Sequence, residues 1–366
     1  MVIYVVVYLI LFMALFPDVP KRKDLLIVGI ILLYFIGMFR SLSVGTDNRI
    51  YLETFYRTTW ESIFRHSDGI QETKFEVGYA IWIAFFRNIL FDNYTVFMST
   101  SFFITMSLFL TFINKSKDVY IALFIFYALS FYFLSLNIMR QMMGCALILS
   151  ILPLFIKNKI GLIKFSIWII LVSIGFHKSL IVFLLIVIFY QNPLVKFFSK
   201  KKCLVILSII SFVFLLGLSS IQDFIPSIRE IFLLVNNERY AEYLSPANLE
   251  KSDFSVFSSF IKLVFLIFLI VISPRRVLRS FSFIGLYLSI CSSNILGSVS
   301  ALFTRVSINI EIMFVLFIPY LYSTLKRNDK RILLLATMGY CTVFFFNYLY
   351  KGYSGIVPYR TFLLDF

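Results

Sequence analysis

Apolar residues fill twelve stretches of this chain almost without interruption: 1–16, 25–39, 94–113, 119–136, 141–156, 160–177, 178–192, 203–219, 256–273, 280–298, 306–322 and 332–349. A bilayer-spanning helix needs about 17–25 such residues. Each stretch therefore predicts a transmembrane helix, the shorter ones with a locally thinned bilayer or flanking side chains that reach for the interface. A further stretch, 76–91, is apolar but short, contains Arg87 and Asn88, and is followed by Asp92-Asn93. It predicts an interfacial or re-entrant helix with Tyr79 and Trp82 at headgroup level. Two long segments, 40–93 and 220–255, mix both signs of charge with Tyr and Phe, and in the second Pro226 and Pro246 bracket a helix-like run near 227–244. Neither could fold alone, so both are expected to lie on the membrane domain as a lid. The chain reads as one all-α, membrane-embedded domain over residues 1–366, with no internal repeat.

Charge gives the helices a direction. Six clusters, at 21–23, 115–117, 157–164, 196–202, 275–279 and 326–331, hold 19 of the 34 Lys and Arg, joined only by Asp18, Asp24, Asp118 and Asp329. The remaining 15 bases and 15 acids balance on the other side, so the net charge of +15 falls on one face. The positive-inside rule makes that face cytoplasmic and puts both termini and both long segments outside. Counting 76–91 as a span would reverse every later cluster, which supports the interfacial reading. With 60% hydrophobic residues, 14% charged residues and a mean hydropathy of +0.91, the composition excludes a soluble domain. Bases divided among short loops form no groove or patch for nucleic acid. The N-terminus lacks a basic n-region and a small-residue cleavage site, so residues 1–16 predict a retained helix. Cys145, Cys203, Cys291 and Cys341 lie in or beside apolar runs without metal-site spacing and are expected to be free thiols.

On this topology the unusual polar residues gather at the external ends of helices. Arg40 follows the second helix and precedes Gly45-Thr46-Asp47; Asn137, Arg140 and Gln141 occupy one junction, with a spacing that predicts one helix face. His177-Lys178-Ser179 caps another turn, Thr304-Arg305 opens the eleventh helix, and Pro358-Tyr359-Arg360 lies near the C-terminal end. Glu311, almost two turns into the membrane, is expected to face protein or a wet cavity, because exposure to lipid there costs about 2.5–3.5 kcal/mol. Each residue has a plainer account taken singly. A lone Arg near a helix end commonly snorkels, an interfacial His commonly makes a structural hydrogen bond, Asn and Gln join helices, and Glu311 could pair with an Arg. Five chain regions delivering Arg or His to one side favour an external anion-binding cavity, since the guanidinium suits bidentate phosphate recognition.

The order of these motifs resembles the EpsG-type and Wzy-type polysaccharide polymerases of bacterial O-antigen and capsule pathways. The matching elements are Gly45-Thr46-Asp47 with Tyr51 and Tyr56, Phe75-Glu76-Val77-Gly78-Tyr79, Asn137-Ile138-Met139-Arg140-Gln141, His177-Lys178-Ser179, Arg305 and Pro358-Tyr359. In 220–255 only Arg239-Tyr240 finds a counterpart. The resemblance implies a GT-C-like glycosyltransferase of the inner membrane with an interfacial helix, acting at the periplasmic face. It would join undecaprenyl-pyrophosphate-linked oligosaccharide units, moving the growing glycan onto a newly delivered one, without metal or cofactor. It also implies a flippase and a chain-length regulator of the same pathway as partners. Arg140 and Arg305 would stabilise the departing pyrophosphate. Arg40, Arg239 and Arg360 would close on it, with Asn137, Gln141, Tyr240 and Glu311 as further substrate contacts. His177, Asp47 or Glu76 would accept the acceptor's proton, His177 having an imidazole that titrates in the physiological range. A lipid-linked oligosaccharide flippase or other transporter is the alternative from another class, predicting charges near the midplane of both halves. An O-antigen ligase, using lipid A core as acceptor, is the related-enzyme alternative.

Overall fold

The computed structural model describes residues 1–16, 18–19, 22–64, 66–67, 70–71, 75–156, 158–191, 200–217, 256–296 and 301–364. The segment 220–255, with its helix-like run and Arg239-Tyr240, lies outside the described residues. Two compact units form: Met1–Ile181 with Thr337–Phe366, and Val182–Ala336. Both are helical, apart from a two-residue antiparallel pair, His66–Ser67 with Ile70–Gln71.

The first unit contains α1 (Val2–Met13), α2 (Arg22–Met38), α3 (Asn48–Arg57), α4 (Trp60–Phe64), α5 (Val77–Phe85), α6 (Tyr94–Ile113), α7 (Val119–Ala128), α8 (Phe131–Asn137), α9 (Met139–Phe155) and α10 (Lys159–Gly175). Its helix starts are chemically marked. Side-chain oxygens of Asn93, Asp118 and Asn158 accept backbone N–H groups at the first turns of α6, α7 and α10, at 2.7–3.2 Å, satisfying donors that a helix leaves open. Asp118, an acid among basic residues, is thus a cap. Arg22 donates through Nε to the Ala14 carbonyl at 2.7 Å and lies 3.6 Å from the Tyr120 ring centre, tying α1, α2 and α7 together.

The second unit contains α11 (Phe183–Gln191), α12 (Lys201–Gly217), α13 (Val256–Ile272), α14 (Phe281–Leu296), α15 (Ala301–Glu311) and α16 (Phe314–Thr324), followed by α17 (Arg327–Tyr350), which continues into the first unit. α14 is its central helix, packed by α11, α12, α13, α15 and α16. The Tyr287 hydroxyl donates to the Leu204 carbonyl at 3.1 Å, the Asn294 amide to Ser211 Oγ at 3.2 Å, and Ser289 Oγ to the Ser307 carbonyl at 2.9 Å. These bonds fix the register of α14 against α12 and α15 through polar contacts inside an apolar bundle. The four cysteines are free.

Every one of the twelve apolar stretches carries a helix. Among the described residues, only α6, the run Val306–Thr324 and α17 are long and apolar enough to cross a bilayer unaided. Other apolar helices have 10–17 residues, up to about 26 Å at 1.5 Å per residue. Two stretches are also interrupted. The stretch 119–136 is not one straight helix: α7 and α8 meet at 52°, where Ser130 adopts a left-handed backbone (φ 69°) that ends one helix and starts the next. In 306–322 a turn at residues 312–313 separates α15 from α16, leaving Glu311 at a helix end.

The stretch 76–91 forms α5 and a π-helical turn, Phe86–Leu90. Tyr79 is enclosed by protein on every side. It is fully buried in a cluster with Tyr51, Phe75, Phe97, Met139 and Met143, while half-buried Trp82 donates its indole N–H to Ser101 Oγ at 3.0 Å. α5 crosses α10 where Gly78 meets Gly175. A Cβ on Gly78 would stand 2.8 Å from the Gly175 carbonyl oxygen and 2.9 Å from its Cα, whereas one on Gly175 would meet only Gly78 Cα, at 3.7 Å. Backbone cannot yield as a side chain does. Gly78→Ala is therefore expected to cost about 1–3 kcal/mol and lower the thermal unfolding midpoint of the purified protein, with Gly175→Ala close to wild type. Equal midpoints for the two variants would refute this reading of the crossing.

Candidate functional site

The first unit brings four of the expected residues together around the N-terminus of α9. Arg140, in the first turn of α9, forms an ion pair through Nη1 with Glu76 Oε2, just ahead of α5. Both side chains are largely buried, at 13% and 14% exposure. The Arg140 guanidinium stacks 4.3 Å from the centre of the Phe75 ring, and its backbone N–H donates to the Tyr51 hydroxyl at 3.3 Å. Burial pushes the Tyr51 phenol up and the Arg140 charge opposes that shift, so Tyr51 keeps its proton. One donor is left over: among the described residues Arg140 Nε is buried without a hydrogen-bond partner. A buried N–H in that state costs about 1–3 kcal/mol, as it does for Arg40 Nε, which is also without a partner among the described residues.

Asp47 enters from the other side. Its backbone N–H donates to Asn137 Oδ1 at 2.9 Å. The Thr46 hydroxyl lies 3.2 Å from that oxygen and 3.4 Å from Asp47 Oδ1, and its single proton can serve either. Among the described residues no cation pairs with the Asp47 carboxylate, which is half-buried. Asn137 and Arg140 do not share one helix, as their spacing suggested. The break at Ile138 (φ −93°, ψ 59°) makes Asn137 the last residue of α8 and places Arg140 and buried Gln141 in α9. Asn137 consequently turns to the 45–47 loop while Arg140 turns to α5.

The other candidates are placed differently. His177 follows α10; its Nδ1 lies 2.7 Å from Ser179 Oγ and accepts the Ser179 backbone N–H at 3.3 Å, closing the turn into the 3₁₀ helix Lys178–Val182. The Gly78–Gly175 crossing and the packing of Phe176 on Tyr79 bring this end of α10 to the start of α5. Arg40 is fully buried, donating to the Gly37 carbonyl at 2.9 Å and Met139 Sδ at 3.2 Å, so its charge sits at the negative C-terminal end of α2. Arg360 has an exposed side chain, and its carbonyl accepts the Ser41 N–H at 2.9 Å.

In the second unit, Glu311 is met by Lys262 of α13 at 2.7 Å and 2.8 Å, one contact to each carboxylate oxygen, with 10% and 18% of the two side chains exposed. Glu311 faces protein, as expected, but its partner is a lysine that the polar-residue reading missed. A single charge inside the apolar run 256–273 was the available signal. Phe75, on which Arg140 stacks, carries no signal of that contact beyond its place in the 75–79 motif. Arg305 lies in α15.

The apolar helices and the basic loops describe a membrane protein whose first unit holds the Arg140–Glu76 pair and, on the Asn137 side of the α8–α9 junction, a carboxylate, Asp47, with no cation paired to it among the described residues. No curated protein and no solved structure matches the chain. The family model described as the EpsG family matches residues 23–361, from α2 through the 45–47 loop, Glu76, the α8–α9 junction and the C-terminal residues beside Ser41, and the chain belongs to that family of polysaccharide polymerase-type membrane enzymes.

Proposed function

We propose that the protein lengthens a lipid-linked glycan by metal-independent glycosyl transfer at the external face of a bacterial inner membrane. Donor and acceptor are undecaprenyl-pyrophosphate-linked repeat units. The enzyme acts as one membrane-embedded domain of about twelve spans with GT-C-like architecture, in which α5 lies along the interface. The observation that carries the reading is Arg140: paired, stacked on Phe75, and left with a buried Nε donor. In the transfer the bond from the donor's anomeric carbon to the pyrophosphate oxygen breaks, and its electron pair stays on that oxygen. Arg140 Nε–H donates to the anion as its charge grows, which favours the transition state over the ground state. The acceptor hydroxyl oxygen forms the new bond to the anomeric carbon and its proton passes to Asp47. Glu76, held by Arg140, orients the guanidinium. Arg305 shares the stabilising task on the resemblance alone, as do the remaining substrate contacts.

Purified protein given only lipid-linked repeat units is expected to produce a ladder of longer glycans; unchanged units would sink the proposal, and transbilayer movement without lengthening would favour a flippase. Within that assay Asp47→Asn is expected to slow turnover about 10²–10⁴-fold, the usual worth of a positioned general base, and His177→Ala much less. The reverse order would move the base to the imidazole. A chelator should leave the rate unchanged, and loss of activity restored by Mg²⁺ would overturn the metal-free mechanism. Cysteines replacing Asp92 and Arg276 should react with impermeant reagent from the outside and the cytoplasm respectively; a shared side would break the topology.

A further inference from the structure

The C-terminal segment that follows α17 does not leave the fold. Residues 354–362 run back along the loop that carries Asp47 and bond to it at several points. The Gly45 N–H donates to the Gly355 carbonyl at 3.0 Å, the Thr46 N–H to the Ser354 carbonyl at 3.1 Å, and the Phe362 N–H to the Phe39 carbonyl at 3.3 Å. Arg40 and Thr361 form an antiparallel bridge, and the Tyr359 hydroxyl donates to the Ile36 carbonyl at 3.1 Å. From α1, the Tyr4 hydroxyl fixes the strap itself through the Ile356 carbonyl, also at 3.1 Å. The strap turns into position through three left-handed residues, Gly352 (φ 59°), Ser354 (φ 61°) and Gly355 (φ 62°). A serine is strained in that region and persists there only where its surroundings over-determine it.

We propose that Gly355 is a positioning residue of the site: the strap presses the Thr46–Asp47 peptide onto Asn137 and thereby fixes where the Asp47 carboxylate stands. This deepens the glycosyl-transfer reading and rests on it for the meaning of Asp47. The geometry is unusually direct. A Cβ on Gly355 would lie 2.9 Å from Thr46 Cγ2 and 3.3 Å from the Thr46 backbone nitrogen, so any side chain there pushes on the residue next to Asp47. Gly352 has the same handedness, yet a Cβ on it would meet nothing within 4 Å. Alanine at either position suffers the same left-handed backbone penalty, while only alanine at 355 moves the loop. A displacement of about 1 Å at a reacting group can cost about 10²-fold in rate.

The test uses the full chain and two readouts. In hydrogen–deuterium exchange, Gly355→Ala is expected to speed exchange of the peptide spanning residues 41–47 by about tenfold, since local opening there becomes easier, and Gly352→Ala to leave it at the wild-type rate. In the lengthening assay, Gly355→Ala is expected to lower kcat about 10²-fold with little change in KM, because binding contacts remain while the base is misplaced. Adding Thr46→Ser removes the methyl group that the new Cβ strikes but keeps the hydroxyl, and should restore much of the lost kcat. Equal loss in Gly352→Ala and Gly355→Ala, wild-type turnover in Gly355→Ala, or no restoration by Thr46→Ser would each overturn the positioning role. Wild-type protein that lengthens nothing would remove the glycosyl-transfer reading, and the exchange rates alone would then decide whether the strap holds the loop.

Discussion

Arg140→Ala is expected to lower glycan lengthening by about 10³-fold, the upper end of what one anion-stabilising donor provides. The guanidinium is held by Glu76 and Phe75, so Arg140→Ala also leaves a largely buried carboxylate without its cation. Arg140→Ala with Glu76→Gln, which removes that carboxylate's charge, is expected to show the same loss of lengthening in a monodisperse protein. Arg140→Lys should recover little. An ammonium can keep Glu76 company, but it lacks the planar guanidinium that stacks on Phe75 and carries a further donor at Nε. Glu76→Gln supplies the contrast: it leaves the arginine charged but unpaired, so the orientation loosens while the donor survives, and an intermediate loss is expected. Normal product from Arg140→Ala in a reconstituted assay would remove this residue from the chemistry.

The second large effect is on folding. Lys262→Met would leave the Glu311 carboxylate in an apolar bundle without its cation, a change expected to cost roughly 3–5 kcal/mol. The protein should then lose detergent stability or fail to accumulate. Glu311→Leu in the same chain should restore most of that loss, since replacing both members of a buried pair by apolar groups is often neutral. Midpoints from thermal unfolding of the single and double variants form a cycle that measures the coupling. A double variant no better than Lys262→Met would mean that Glu311 has another task. These residues are in the second unit, so this result is independent of the Arg140 outcome.

What the sequence discloses divides along physical lines. Apolar length and basic loops show where helices begin and end, and each of the twelve stretches contains one. The breaks at Ser130 and Ile138 are hidden because no Pro or Gly announces them, only a backbone angle. Burial within α5 was unreadable for another reason. A helix apolar on all sides offers no polar face to contrast with the core, so residue type alone does not show that Tyr79 is enclosed by protein. The candidate site fared similarly. Glu76, Asp47, Asn137 and Arg140 stood out as polar residues in motifs, yet which one pairs with which depends on the packing of separate helices. The strap was least legible: its bonds to the loop are mostly backbone to backbone over more than 300 residues, and such bonds leave no mark on residue identity.

The Arg140–Glu76 pair has a consequence for how substrate arrives. Two opposite charges in contact make a dipole whose field fades much faster than that of a lone cation, and at physiological ionic strength even a lone exposed charge is screened within about 8 Å. The pair therefore gives the resting centre little power to draw anions from the surrounding solution. Free inorganic diphosphate or nucleotides would gain little by approaching it, although their chemistry resembles the leaving group. The polyprenyl-anchored diphosphate proposed as donor would need no such guidance, because diffusion within the bilayer would deliver it. On that proposal recognition would be a short-range event at Arg140, and the apparent KM for a lipid-linked donor is expected to change little with added salt.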